Sequence, residues 1–155
     1  MKKTAIIGIG NSLRQDDSLG LILLERLKNK KEELPDNIDF IDGGSGGMVL
    51  LHYLADFDIV FILDAVEFGG KPGELRFFEK EEIISKKIKI NLSTHENDFF
   101  KVIKLSEKLN EIPEKIYIFG IQPKNLGFGC DISLDISESI EKNLMQIIDK
   151  IKRLK

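Results

Sequence analysis

Asp17, Asp42 and Asp64 each stand at or just beyond a stretch that ends a strand of an α/β sheet, the first after a short glycine turn. Ligands of open α/β sheets bind outside the carboxyl ends of the strands, so the three carboxylates are expected along one edge. Crowded there, they repel one another unless a cation or a positively charged substrate lies between them. His95 precedes a helical segment that leads back to the last strand, which places it on the same edge. Two of these carboxylates with the imidazole form a ligand set suited to Ni, Zn, Fe or Mn. Three protein ligands also leave coordination positions open for substrate.

Each residue has a plainer reading. Asp16, Asp17 and Ser18 stand at the start of a helix, where side chains cap free N–H groups; Asp16 could cap while Asp17 points outward. Asp42 before Gly43-Gly44 is a natural turn former. Asp64 resists dismissal, because a carboxylate behind five apolar residues of a central strand is costly unless paired or placed at an open end. His52 falls within a helix and is read as non-functional, and Cys130 as a buried or incidental thiol.

The elements that must position these residues follow from periodicity. Residues 4–9 form a short apolar run with a glycine turn behind it, a buried parallel strand. Residues 19–28 carry a helical apolar face. Strands follow at 38–41 and 59–65, the latter apolar on both faces and therefore central. A short helix is expected at 46–54. Only residues 66–73 separate the strand at 59–65 from one at 74–78, too few for a parallel crossover, which predicts an antiparallel hairpin of the two. A helical turn at 79–84, a helix at 98–109, a strand at 115–121, a Gly-rich loop at 122–133 and a long amphipathic terminal helix complete the chain. The fold class is a three-layer α/β domain spanning 1–155, with a twisted, mostly parallel five-stranded sheet, one antiparallel edge strand and helices on both faces.

Composition narrows the function. The net charge is −3 and no Lys/Arg stripe stands out, which disfavours nucleic acid. The single cysteine precludes an intrachain disulfide and fits a reducing compartment. No segment reaches the roughly 18 apolar residues of a membrane span, so a cytoplasmic protein without membrane insertion is expected. Gly8-x-Gly10 after the first strand suggests dinucleotide binding, but Leu13 stands where the third glycine belongs, and Asp16 and Asp17 oppose a pyrophosphate. Zinc-protease, nucleophile-elbow and Walker patterns do not occur.

Gly8-Ile9-Gly10-Asn11-Ser12-Leu13 with Asp16-Asp17, Asp42-Gly43-Gly44-Ser45, Asp64-Ala65, Pro72-Gly73-Glu74-Leu75-Arg76, Ser93-Thr94-His95 and Gly120-Ile121-Gln122-Pro123 together resemble the motifs of the hydrogenase maturation proteases. The Pro72-Gly73-Glu74-Leu75-Arg76, Thr94-His95 and Gly120-Ile121-Gln122-Pro123 wording most resembles the branch serving formate-hydrogenlyase-type hydrogenases. The resemblance implies an endopeptidase that clips the C-terminal extension from the [NiFe] hydrogenase large-subunit precursor, its partner. It implies Asp17, Asp64 and His95 as catalytic and metal-engaging residues, and Asp42, Gly43 and Gly44 as contacts to the scissile region. Nickel is then engaged through the precursor rather than held as a permanent cofactor. Other readings are a non-catalytic nickel-binding assembly factor, a small nucleotide- or anion-binding domain, and a peptidase acting on other proteins. The partner hydrogenase, the scissile bond and the oligomeric state stay open.

Overall fold

The computed structural model describes residues 1–85, 91–92 and 96–155. Strands β1 (Thr4–Gly8), β2 (Ile38–Asp42), β3 (Ile59–Glu67), β4 (Leu75–Glu79), β5 (Asn91–Leu92) and β6 (Lys115–Ile121) alternate with helices α1 (Leu19–Lys28), α2 (Val49–Ala55), α3 (Lys80–Ile84), α4 (Glu96–Lys108) and α5 (Leu134–Leu154). The main sheet has the order β2-β1-β3-β6-β4. Its first four strands run parallel, and β4 closes the edge antiparallel to β6.

Burial explains the order. β3 is buried at all but its last residue and lies between β1 and β6, as its apolar run requires. Alternation along the strands separates two cores. Phe61, Leu63, Phe119 and Ile121 pack with Leu23 and Leu27 of α1 and Ile140, Leu144 and Ile147 of α5. On the other face, Val60, Ile62 and Ile118 pack with Leu50 and Leu54 of α2 and with Phe99, Val102 and Ile103 of α4. The sheet is thus covered by helices on both sides.

The expected hairpin between the strands at 59–65 and 74–78 does not form. β3 has β1 on one side and β6 on the other, so β4 has no free edge of β3 to pair with and adds outside β6. The short connection instead crosses β6 at its carboxyl end, where the Gln122 side chain holds it. Gln122 Oε1 accepts from the Phe68 and Gly70 N–H groups at 2.9 and 3.1 Å, and its Nε2 donates to Glu67 at 2.9 Å. The two-residue β5, not anticipated from periodicity, pairs with the end of β3 through Val66 and Leu92.

Candidate active site

The carboxyl edge is assembled by backbone hydrogen bonds between loops distant in sequence. Beyond β1, Ile9 N–H donates to Leu63 O at 2.9 Å, carrying the ladder one residue further. Gly43 N–H donates to Gly8 O, and Gly10 N–H to Gly44 O, each at 2.8 Å, so the first loop and the Asp42-Gly43-Gly44 turn are tied together. Two glycines make the approach possible. A methyl group on Gly10 would lie 2.3 Å from Asp17 O. One on Gly20 would lie 2.1 Å from Ile9 O and 2.3 Å from Leu63 O. The first turn of α1 therefore sits directly on the ends of β1 and β3.

Asp17 is in a 3-10 turn (Gln15–Ser18) that enters α1, and only 1 % of it is exposed. Asp64 is 3 % exposed and stands in β3 opposite Gly120, one residue past the pair of Gly8 with Leu63. Its Oδ1 accepts the Ala65 N–H at 2.8 Å. By strand alternation Asp64 shares a face with Val60 and Ile62, the face covered by α2 and α4. Asp17 and Asp64 thus lie at the same end of adjacent elements, both withdrawn from water. Asp42 differs: it is exposed at the rim, and its Oδ1 accepts the Gly44 N–H at 2.8 Å in an Asx turn. Gly43 is buried beneath it, while Gly44 has φ +56° with open space above.

His95 lies outside the described residues. Among the described residues, no three His, Cys, Asp or Glu side chains form a metal-ligand cluster, and the set expected from the sequence includes that histidine. His52 is exposed on α2, and Cys130 is exposed rather than buried.

Asp16 does not cap α1. Ser18 is the N-cap and makes no side-chain cap hydrogen bond. The Asp16 carboxylate is fully buried and turns the other way, to the segment after β6. It accepts hydrogen bonds from Lys124 N–H (2.9 Å), Asn125 N–H (2.7 Å), Ser133 N–H (2.7 Å) and Ser133 Oγ (2.8 Å). Burial alone would raise its pKa, but these donors, led by the Asn125 and Ser133 backbone, hold it below the usual carboxylate value. The segment 123–133 is therefore strapped across the edge. Gln15 N–H to Gly129 O (3.0 Å) and Gly129 N–H to Leu13 O (2.9 Å) fasten its middle. This strap went unread in the sequence; the signal was an extra acid beside Asp17 and a Gly-rich loop that needed an anchor.

Gly10 packs tightly against the Asp17 carbonyl at the glycine turn. A cleft of about 610 Å³ opens elsewhere, at the amino end of β1, between Met1, Lys2, Asn37, Asp39 and Phe57. It is remote from the acidic edge.

A family model described as hydrogenase maturation protease matches residues 22–152. The chain belongs to the hydrogenase maturation protease family, a family of peptidases. The matched stretch contains Asp42, Asp64 and His95 and begins after Asp17. Hydrogenase 2 maturation protease of Escherichia coli is 28% identical over 148 residues, covering 95% of this chain and 89% of that protein. Hydrogenase expression/formation protein HupD of Bradyrhizobium diazoefficiens is 31% identical over 121 residues, covering 78% of this chain and 62% of that protein. The chain thus spans about three-fifths of the length of that longer relative. The structure of the hydrogenase maturating endopeptidase HybD from E. coli superimposes with a TM-score of 0.83 at 25% identity, covering 97% of this chain and 93% of that one. The mostly parallel sheet with its antiparallel edge strand is the fold of these proteases.

Proposed function

We propose that this maturation protease is an endopeptidase that removes the C-terminal extension of a nickel-loaded [NiFe] hydrogenase large-subunit precursor. The observation that carries this reading is the burial of Asp17 and Asp64 at one end of the sheet in a chain of this family. Two carboxylates withdrawn from water at one edge favour a cation among them. Nickel arriving in the precursor supplies that charge, so a nickel-free precursor binds poorly. His95 completes the set that engages the metal; it follows Leu92 by three residues, and Leu92 pairs with Val66, two beyond Asp64. Asp42, with the Gly43-Gly44 backbone, holds the chain beside the scissile bond.

Hydrolysis needs one water and a base. As the water oxygen bonds to the carbonyl carbon, a buried carboxylate takes its proton, which passes to the departing amine nitrogen when the C–N bond breaks. This makes the enzyme an aspartyl-type peptidase, with the cytoplasm as its compartment.

Purified protein incubated with its precursor, with and without nickel, and weighed by mass spectrometry tests the proposal. Loss of a C-terminal peptide from the nickel-loaded form alone is the expected result. Binding of the loaded precursor without any cleavage would favour a non-catalytic assembly factor instead.

A further inference from the structure

Large apolar side chains left in water are unevenly placed on this molecule. Among the described residues, Met1, Leu109 and Met145 are exposed elsewhere, while the larger group is made of five others, Leu13, Met48, Val49, Phe128 and Leu134. All five lie on loops or helix starts that follow β1, β2 and β6, which is the carboxyl edge that carries Asp17 and Asp64. Scattered exposed apolar residues need no explanation, but their concentration around a site does. Phe128 is the extreme case, with 84 % of its surface in water; Leu13, whose carbonyl accepts the Gly129 N–H on the paired segment, is 63 % exposed.

Phe128 is also held firmly. Its strap is pinned by the four hydrogen bonds to the buried Asp16 carboxylate. Arg14 Nε donates to Leu126 O at 3.1 Å, and the Arg14 guanidinium lies 5.1 Å from the centre of the Phe128 ring. The neighbouring Gly129 is bonded on both sides to the segment that leads into Asp17. A mobile loop could fold its aromatic ring back onto the protein; this one is built so that the ring stays out. Rigid, solvent-facing aromatic groups are the usual anchors of protein interfaces, since little entropy is lost when they bind.

We infer that Phe128 and Leu13 form an apolar anchor that receives an aliphatic or aromatic side chain of the precursor polypeptide close to the processed bond. The inference rests on the protease reading above. The occupant is a polypeptide segment because the pad continues directly into the strap and turn that hold Asp17. Arg14 covers one face of the ring and leaves the rest for the incoming chain. Phe128 acts in binding and contributes nothing to the proton transfers.

The test is steady-state processing of nickel-loaded precursor by wild-type protein and by Phe128→Ala, Phe128→Leu, Leu13→Ala and, as a distant control, Leu109→Ala. Phe128→Ala is expected to raise KM about 10- to 30-fold and leave kcat within about threefold. Phe128→Leu should recover most of the loss, Leu13→Ala should give a smaller rise, and Leu109→Ala should match wild type. An unchanged melting temperature for Phe128→Ala separates lost binding from a loosened strap. Wild-type KM in Phe128→Ala overturns the anchor while leaving the protease reading intact. A fall in kcat alone, or a loss of self-association at unchanged KM, overturns it as well. Wild-type protein that cleaves no precursor removes the protease reading and the anchor with it.

Discussion

Two adjacent aspartates in one turn are assigned different roles, Asp16 in holding the strap and Asp17 in the proposed reaction, and mutation should separate them. Asp17→Asn and Asp64→Asn keep shape and remove charge; each is expected to slow precursor processing at least about 100-fold while the circular dichroism spectrum is unchanged. Processing at the wild-type rate by both variants would dismiss the acidic edge as the reactive site. Asp16→Ala should behave differently, lowering stability by about 2–4 kcal/mol in urea unfolding, because the N–H groups of Lys124, Asn125 and Ser133 lose a charged acceptor. The sign of its pH dependence follows from the same contacts. The folded-state pKa of Asp16 is lowered from 3.8, so its stabilisation is complete above the unfolded-state value and is lost as pH falls through the folded one. Urea midpoints measured from pH 7 down to pH 3 should drop more steeply for wild type than for Asp16→Asn. In sequence, Asp42 was legible as the acid that ends β2, whereas β3 runs on past Asp64 to Glu67 and Asp17 lies in the turn beyond β1, because an apolar run marks a strand without fixing its last residue. The role of Asp16 was not legible, because its partners lie more than a hundred residues away and no local pattern encodes them.

At the scale of elements, glycine placement matters more than helix propensity. Gly20→Ala should help an isolated α1, as alanine is the better helix former by about 1 kcal/mol. In the folded protein the added methyl would meet Ile9 O and Leu63 O, so the expected outcome is a net loss of about 2–4 kcal/mol, read as a lowered melting temperature. Gln122→Leu should cost about 1–3 kcal/mol, because the Phe68 and Gly70 N–H groups would be buried without their acceptor. The bounds of α1 and β6 were readable from apolar periodicity alone, because each presents a clean face to the core. The pairing of β4 was not. Loop length excluded a parallel link to β3, but whether β3 had a free edge depended on β6, which begins 48 residues after β3 ends.

Across the whole molecule, the sheet order assigns the two ends different work. At the amino end lies the 610 Å³ cleft, whose lining includes Lys2, Lys3, Asp39 and Asp56; at the carboxyl end converge the loops after β1, β2, β3 and β6. Among the described residues, no helix is long and apolar enough to cross a membrane. The order β2-β1-β3-β6-β4 also sets a timetable for synthesis. When a ribosome has released residues as far as 114, β3 has β1 on one side and a bare edge on the other, and β4 has no strand to pair with. Strap, Asp16 anchor and terminal helix are all still to come. Bare strand edges of this kind invite aggregation. A chain cut after residue 114 is expected to precipitate or to be retained by chaperones, whereas the full chain remains in the supernatant, a comparison that cell-free translation and centrifugation would make directly. The carboxyl edge cannot close until β6 and the strap that bonds Asp16 have followed the other strands off the ribosome.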